Sequence, residues 1–391
     1  MLTRLLVAFA AAASALSGCD KNNDNKTVAK NVTALAPAQP QSKILITAKG
    51  TMYIADFDGT KFDISLTQNV SGAPTWASFL SPNLVYAVDE FGNTTRLFQV
   101  DLAGNKLEEL GSAHGSRGLV HLELAKDKSQ LLGASFTDGA IDIFDISNGG
   151  LKLSETIKVN ETAKEQEVQT HQSNLDPSGR FVAVNNRKAN SIVVFDRRNS
   201  FKIVNSVPVD TTCSPRHGAF FPIGATKATH YMLLCEAGNV VLMYSLTYGG
   251  DKGIEFVQKQ NISTFGADMR TGPAAGELVV TPDNKNVYVS NRLTGEETDN
   301  IAHFRLVVAG GCDPRLEFMG LTSTGGRLPR MFSLSTDGTL LFVGNQEGKL
   351  GVVALKRNDD GTLVEQPVAS IDTSQFPPGE QAGPSFVQQI A

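Results

Sequence analysis

The chain has 391 residues, of which 35 are Lys or Arg and 40 are Asp or Glu, for a formal net charge of −5. Charged residues make up only 19% of it while glycine occurs 36 times, which suits many short strands joined by turns rather than a helical bundle or a disordered chain. There is no long basic run and no interleaving of basic with aromatic residues, so nucleic acid is excluded as the expected partner.

The first predicted element is an export signal at residues 1–18. Arg4 supplies a positive charge, the segment LLVAFAAAASA supplies a short apolar core, and small residues follow. That core is too short to anchor the chain across a bilayer. Leu16, Ser17, Gly18 and Cys19 match a bacterial lipobox, in which Cys19 takes a diacylglyceryl group and becomes the mature N-terminus. Residues 19–42, polar with Ala and Pro, then read as a tether. The other reading is an ordinary secretory signal that releases a soluble protein and leaves Cys19 incidental. Both place the protein outside the cytoplasm, free or membrane-attached. The Asn-X-Ser/Thr sequons at Asn25, Asn31, Asn69, Asn93, Asn160 and Asn261 hint at a glycosylating pathway, but chance alone gives such triplets in a chain rich in Asn and Thr.

From Lys43 onward one pattern recurs. KILITAKGTMYIADFDGTKFDISLT opens it, and weaker copies begin near Pro74, Leu119 and Pro215. The clearest copies are THQSNLDPSGRFVAVNNRKANSIVVFD, AGELVVTPDNKNVYVSNRLTGEETDNIAHFRL and LPRMFSLSTDGTLLFVGNQEGKLGVVAL. Each has an apolar strand, a turn such as DPSG, TPDN or STDG, and a second strand that ends near an Asn. A variable loop and a third strand complete it. Apolar and polar residues alternate with a period of two, as in Ile141 to Ile146, and helical periodicity is hard to find. The repeat spans roughly 40 to 55 residues, the length of a four-stranded blade. Residues 43–391 are therefore expected to form one all-β domain, a seven-bladed β-propeller.

With Cys19 set aside, Cys213, Cys235 and Cys312 remain, an odd number for an oxidising compartment. Cys213 and Cys235 border neighbouring strands of one repeat. They either pair or serve as small buried apolar residues. No CxxC, HExxH or His pair at ligand spacing occurs, so no metal site is expected. Asp299, with Glu296 or Glu297, reads as solvating a loop rather than holding calcium.

On this fold, chemistry belongs at one end of the central channel, so polar residues recurring at equivalent repeat positions are the candidates. His121, His171, Arg216 with His217, Glu277 and Arg330 fall on or just before the first strand of a repeat. Asn185 with Asn186, Glu236, Asn291 with Arg292, and Asn345 with Gln346 end the second strand. Arginines clamp a carboxylate, while a His and a Glu remain for proton transfer, a set that suits a small anionic molecule. The competing reading gives these residues structural work, capping turns and tying blades together. His114, His230 and His303 read as surface or packing residues.

The motifs THQSNLDPSGRF, SPRHGAFFP, LLCEAGN, AGELVVTPD with YVSNR, and LPRMFSLSTDG with FVGNQ resemble those of the seven-bladed lactonase propellers. That family includes bacterial 6-phosphogluconolactonase and the fungal carboxymuconate cyclase, a 3-carboxy-cis,cis-muconate lactonizing enzyme, and LCEAGN with YVSNR is closer to the cyclase branch. The resemblance runs from about residue 43 to the C-terminus. It implies a catalytic set of His171, Arg216, Glu236 and Arg292, and a reaction that needs no cofactor. His217, Glu277, Arg330, Gln346 and His121 then complete the substrate-binding surface. The chain departs from the family at Gln169, where a second His is common, at the loop Asn185 to Lys188, and at Phe136, where an aromatic hydroxyl is common. The substrate therefore does not follow from the resemblance, and export argues against a sugar phosphate. Two functions stand: a lactonase or cyclase acting on a small carboxylated molecule or lactone, and a non-catalytic propeller that binds a ligand or protein partner.

Overall fold

The computed structural model describes residues 42–159, 168–268, 270–308, 310 and 313–391. The export segment, Cys19 and Cys312 lie outside them. Twenty-eight strands form seven antiparallel four-stranded sheets, arranged as the blades of a β-propeller. Blade 2 begins at Ala77–Leu80, blade 3 at Leu119–Leu124, blade 4 at Thr170–Leu175, blade 5 at Pro215–Phe221, blade 6 at Ala274–Val280 and blade 7 at Arg327–Leu334. These first strands are the inner ones, lining the channel.

Blade 1 is built differently. Its second, third and fourth strands are Ser42–Ala48, Thr51–Phe57 and Phe62–Asn69, but its inner strand is Phe386–Gln389 from the far end of the chain. Thr47 pairs with Phe386 and Ile44 with Gln389, and the Lys43 N–H donates to the Ala391 carbonyl at 2.8 Å. The sequence repeat beginning at Lys43 shows three strands of this blade and conceals the fourth.

Burial follows position within the blade. In blade 4 both middle strands, Phe181–Asn186 and Ser191–Asp196, are buried at every residue, because each face packs on a neighbouring blade. Phe181 and Val194 of blade 4 thus join Tyr231 and Leu242 of blade 5 in one apolar cluster. The outermost strand of blade 3, Lys152–Lys158, is mostly exposed and carries Lys152, Glu155 and Lys158, which discourages pairing with another chain.

The turns between the first and second strands form as their residue types require. In blade 4 the Asp176 carboxylate accepts from the backbone N–H groups of Ser178, Arg180 and Phe181 at 3.1, 3.0 and 2.7 Å. Gly179 in that turn takes φ +67°, which only glycine adopts without strain.

Closure of the ring rests on few residues, so it is sensitive to single substitutions. Phe386 is 2% exposed and packs on Trp76 of the next blade at 5.6 Å between ring centroids. Phe386→Ala is expected to lower the unfolding free energy by about 3–5 kcal/mol, measured by denaturant titration. A loss below about 1 kcal/mol would show that the C-terminal strand does not hold the ring.

Candidate active site at the channel mouth

The inner strands run antiparallel to the second strands, so the start of one and the end of the other share one end of the channel. Five inner strands also slip register there. The slips fall between Leu119 and His121, Thr170 and Gln172, Pro215 and Gly218, Ala275 and Leu278, and Pro329 and Met331. The residues passed over include His171, Arg216, His217, Glu277 and Arg330. Such bulges redirect side chains out of the regular alternation.

Three imidazoles and one indole fill the channel beneath the mouth. His217 is central, with its ring centroid 5.1 Å from His171, 5.8 Å from His121 and 5.4 Å from Trp76. Trp76 lies 4.6 Å from His121. His171 is the least covered imidazole, 5% exposed against 3% for His121 and 1% for His217. Phe136 stands beside it at 6.2 Å, and the Arg187 guanidinium lies 5.5 Å from the Phe136 ring. Burial first, then nearby cations, hold all three imidazoles well below 6.5, so they are neutral.

His217 Nδ1 and Glu277 Oε1 are 2.7 Å apart. The spacing is that of an ion pair, yet burial raises the Glu277 carboxyl to about 8 while His217 is held low. The contact is therefore a hydrogen bond between neutral partners sharing one proton.

Glu236, at the end of the blade 5 second strand, behaves in the opposite way. Burial pushes its carboxyl up, but the guanidinium groups of Arg292, Arg216 and Arg187 outweigh this and hold it at about 2. Oε1 accepts from Arg292 at 2.6 Å and Oε2 from Arg187 at 2.5 Å. Arg216 is 3% exposed and donates to the Gly276 carbonyl at 2.5 Å, with no carboxylate of its own. Burial and the nearby Arg292 press its pKa downward, but a guanidinium keeps its proton. Arg330 pairs with Glu90 at 2.7 Å, and the Gln346 side chain donates to the Gln381 carbonyl at 3.1 Å.

Six buried polar atoms in this cluster have no protein partner: Nε of Arg216 and Arg292, Nδ1 of His121 and His171, Nε2 of His217 and Oε2 of Glu277. Buried polar groups are ordinarily paired, so this cluster concentrates hydrogen-bonding capacity that the protein leaves unused. Among the described residues no group of three or more His, Cys, Asp and Glu is arranged to hold a metal ion.

The backbone around the site is clasped from two sides. Cys213 and Cys235 form a disulfide, settling the pairing that the sequence left open, and it lies directly before Glu236 and three residues before Arg216. Gly276 allows a close approach, since a Cβ there would come within 2.5 Å of Ser290 Oγ and 3.2 Å of Arg292 Nε. Asp299 does not solvate its loop as the sequence suggested. It is 2% exposed and accepts from the backbone N–H groups of Leu293, Thr294 and Leu328 at 3.2, 2.9 and 2.7 Å, fixing the loop that starts at Arg292. Glu296 pairs with Arg270 instead.

The structure thus brings His121, His171, Arg216, His217, Glu236, Glu277 and Arg292 together, with Arg330 and Gln346 beside them. Asn185 and Asn345 serve the scaffold, Asn185 bonding Gln172, Tyr231 and the Arg216 carbonyl, and Asn345 the carbonyls of Thr324 and Leu350. His303 stacks on Tyr288, His230 contacts Asp313, and His114 is exposed at the end of an outermost strand. Trp76, Glu90 and Arg187 were not among the candidates. Trp76 had a signal, since it is the chain's single tryptophan and just precedes an inner strand, as His121 and Arg216 mark theirs.

The chain matches the family model described as a seven-bladed β-propeller lactonase over residues 43–375. It is 23% identical over 337 residues to a Formosa agariphila protein named 6-phosphogluconolactonase, covering 81% of this chain and 91% of that one. Among solved structures it is similar to a periplasmic gluconolactonase of Pseudomonas aeruginosa, with TM-score 0.75, 18% identity, and coverage of 90% of this chain and 99% of the other. A Lactobacillus plantarum protein gives TM-score 0.73 at 19% identity, covering 89% and 99%. At these identities the structural likeness shows the fold.

The raised Glu277 carboxyl has a consequence for stability. Its pKa rises from 4.5 to about 8 on folding, so its contribution is complete below 4.5 and is lost as pH rises toward 8. Relative to Glu277→Gln, the wild type is expected to lose stability steadily across that window in unfolding titrations. Parallel curves for the two proteins would show that the carboxyl is not held neutral.

Proposed function

The chain belongs to the seven-bladed β-propeller lactonases, and from that premise we propose that it opens the ring of a small hydroxylated lactone with water at the channel mouth, without a cofactor. The observation that carries this reading is the charge count. Four guanidinium groups, of Arg187, Arg216, Arg292 and Arg330, face two carboxylates, Glu236 and Glu90, while Glu277 is neutral, so the mouth carries excess positive charge and Arg216 has no carboxylate in ion-pair contact. A buried guanidinium with no carboxylate in contact suits an oxyanion that develops during reaction.

In this mechanism the lactone carbonyl oxygen faces Arg216 and Arg292. Neutral His171 takes a proton from water as the oxygen of that water adds to the carbonyl carbon. The ring C–O bond then breaks, the departing alkoxide receives the proton from His171, and the new carboxylic acid ionises. Glu236 acts as counter-ion rather than proton carrier, because both its oxygens are engaged and its carboxyl stays ionised. Glu277 orients His217, whose free Nε2 supports a second hydrogen bond to substrate or water.

The test is proton release from a panel of sugar and carboxylated lactones. His171→Gln and Arg216→Gln are each expected to lose at least about 100-fold in kcat while unfolding like the wild type. Because the base works unprotonated and its pKa lies well below 6.5, kcat/KM should stay level near neutrality and fall only on the acid side. A rise through about pH 8 would move the base to Glu277. No turnover across the panel would make the protein a ligand-binding propeller.

We also propose that the protein works outside the cytoplasm, a reading supported by the leader and by the Cys213–Cys235 disulfide, since such bonds persist in oxidising compartments. Intact mass of the mature protein should show a chain beginning at Cys19 with a diacylglyceryl adduct. A chain begun at another residue, without the adduct, would make it a soluble secreted protein.

A further inference from the structure

Beside the catalytic cluster the mouth opens into a cavity of about 310 Å³, lined in part by Lys49, Thr75, Phe91, Arg330, Gln346 and Glu380. That volume falls at the lower end of small-molecule pockets, about 300–1,000 Å³. Arg330 belongs to both spaces, since its charge also acts on His171 and His217. A molecule reacting at His171 therefore has room for a second part on the Arg330 side.

The chemistry of the walls defines that part. Arg330 is paired with Glu90, and the walls otherwise carry one cation, Lys49, and one carboxylate, Glu380. Together these groups carry no net charge. The Thr75 hydroxyl is buried and has no protein partner, and the polar Gln346 and Ser385 side chains lie on the same walls. These groups serve a ligand that both donates and accepts hydrogen bonds.

Phe91 supplies the remaining wall and is 77% exposed, the most exposed large apolar side chain among the described residues. A ring left in water in this way gains stabilisation when a ligand covers it. The turn that carries it is fixed on both sides. Glu90 donates its backbone N–H to the Ala73 carbonyl at 3.0 Å while its carboxylate holds Arg330, and the Asp89 carboxylate accepts from Ala73 at 2.9 Å. An aromatic ring carried on a fixed turn at the wall of a hydroxyl-bearing cavity is complementary to a sugar ring, whose C–H face stacks on aromatics while its hydroxyls bond at the edges.

We propose that this cavity is a glycosyl subsite, and that the lactones the protein opens carry an uncharged hexosyl group that occupies it. The substrate class is then the hexosyl-aldonolactones. This rests on the lactonase reading above for its reaction, while the subsite itself has an independent readout. Trp76 is the chain's single tryptophan and adjoins Thr75, so its fluorescence reports occupation of the cavity.

The experiment compares kcat/KM for cellobionolactone, maltobionolactone, gluconolactone and 6-phosphogluconolactone in wild type and Phe91→Ala. It is paired with titration of methyl β-glucopyranoside followed by Trp76 fluorescence. At least one disaccharide lactone should exceed gluconolactone by tenfold or more, and Phe91→Ala should bring that ratio close to one. The glucoside should change the fluorescence saturably in wild type and weakly in Phe91→Ala. If no lactone turns over while the glucoside still binds in a Phe91-dependent manner, the subsite stands and the reaction assigned to the mouth falls. If gluconolactone turns over but both disaccharide lactones do so no faster, the reaction stands and the subsite is overturned. Preference for the phosphorylated lactone overturns the subsite as well.

Discussion

Four guanidinium groups crowd one end of this channel, and the Glu236 carboxylate lying between Arg292 and Arg187 is what allows them to stay there. Removing one partner from a buried ion pair typically costs about 3–5 kcal/mol, because the remaining charge loses both water and counter-ion. Here a single carboxylate answers two cations directly and a third, Arg216, at longer range. Glu236 thus offsets part of the cost of keeping Arg216 buried without an ion-pair partner. The imidazoles beneath, held neutral first by burial, are pressed further the same way by Arg216.

The scaffold produces that crowding with a local device used repeatedly. An ideal inner strand would alternate its side chains and send half of them into the spaces between blades. The register slips at Thr170–Gln172, Pro215–Gly218, Ala275–Leu278 and Pro329–Met331 break the alternation at the polar residues. Further down the same strands the regular pattern resumes and apolar residues pack the blade interfaces. The disulfide beside Glu236 and the buried Asp299 behind Arg292 then restrict the second-strand ends, so both halves of each pair are fixed to rigid backbone.

Much of this was legible in the chain because blades repeat. Turns such as DPSG and STDG mark the strand ends, and aligning the repeats places His121, His171, Arg216, Glu277 and Arg330 at equivalent positions before any contact is known. What was not legible joins residues far apart. Arg330 meets Glu90 across 240 positions, Glu236 meets Arg187 and Arg292 across 49 and 56, and no short-range pattern encodes those pairs. The inner strand of blade 1 was hidden for the same reason, since FVQQ lies more than 300 residues from its partner. Asp299 was misjudged because its loop looks solvated in sequence, whereas its carboxylate is buried by the backbone amides it gathers. The role of Glu236 depends on a balance of burial against three cations, which residue types alone do not weigh.

The closing strand pair also sets an orientation. The turn at Lys49 is at the mouth, whereas Ser42 begins the same strand about 20 Å away. Ala391 is hydrogen-bonded to Lys43, so both ends of the ring leave from the face opposite the mouth. Within the described residues, the strand that closes the ring thus keeps its two free ends together and apart from the residues gathered at the channel opening.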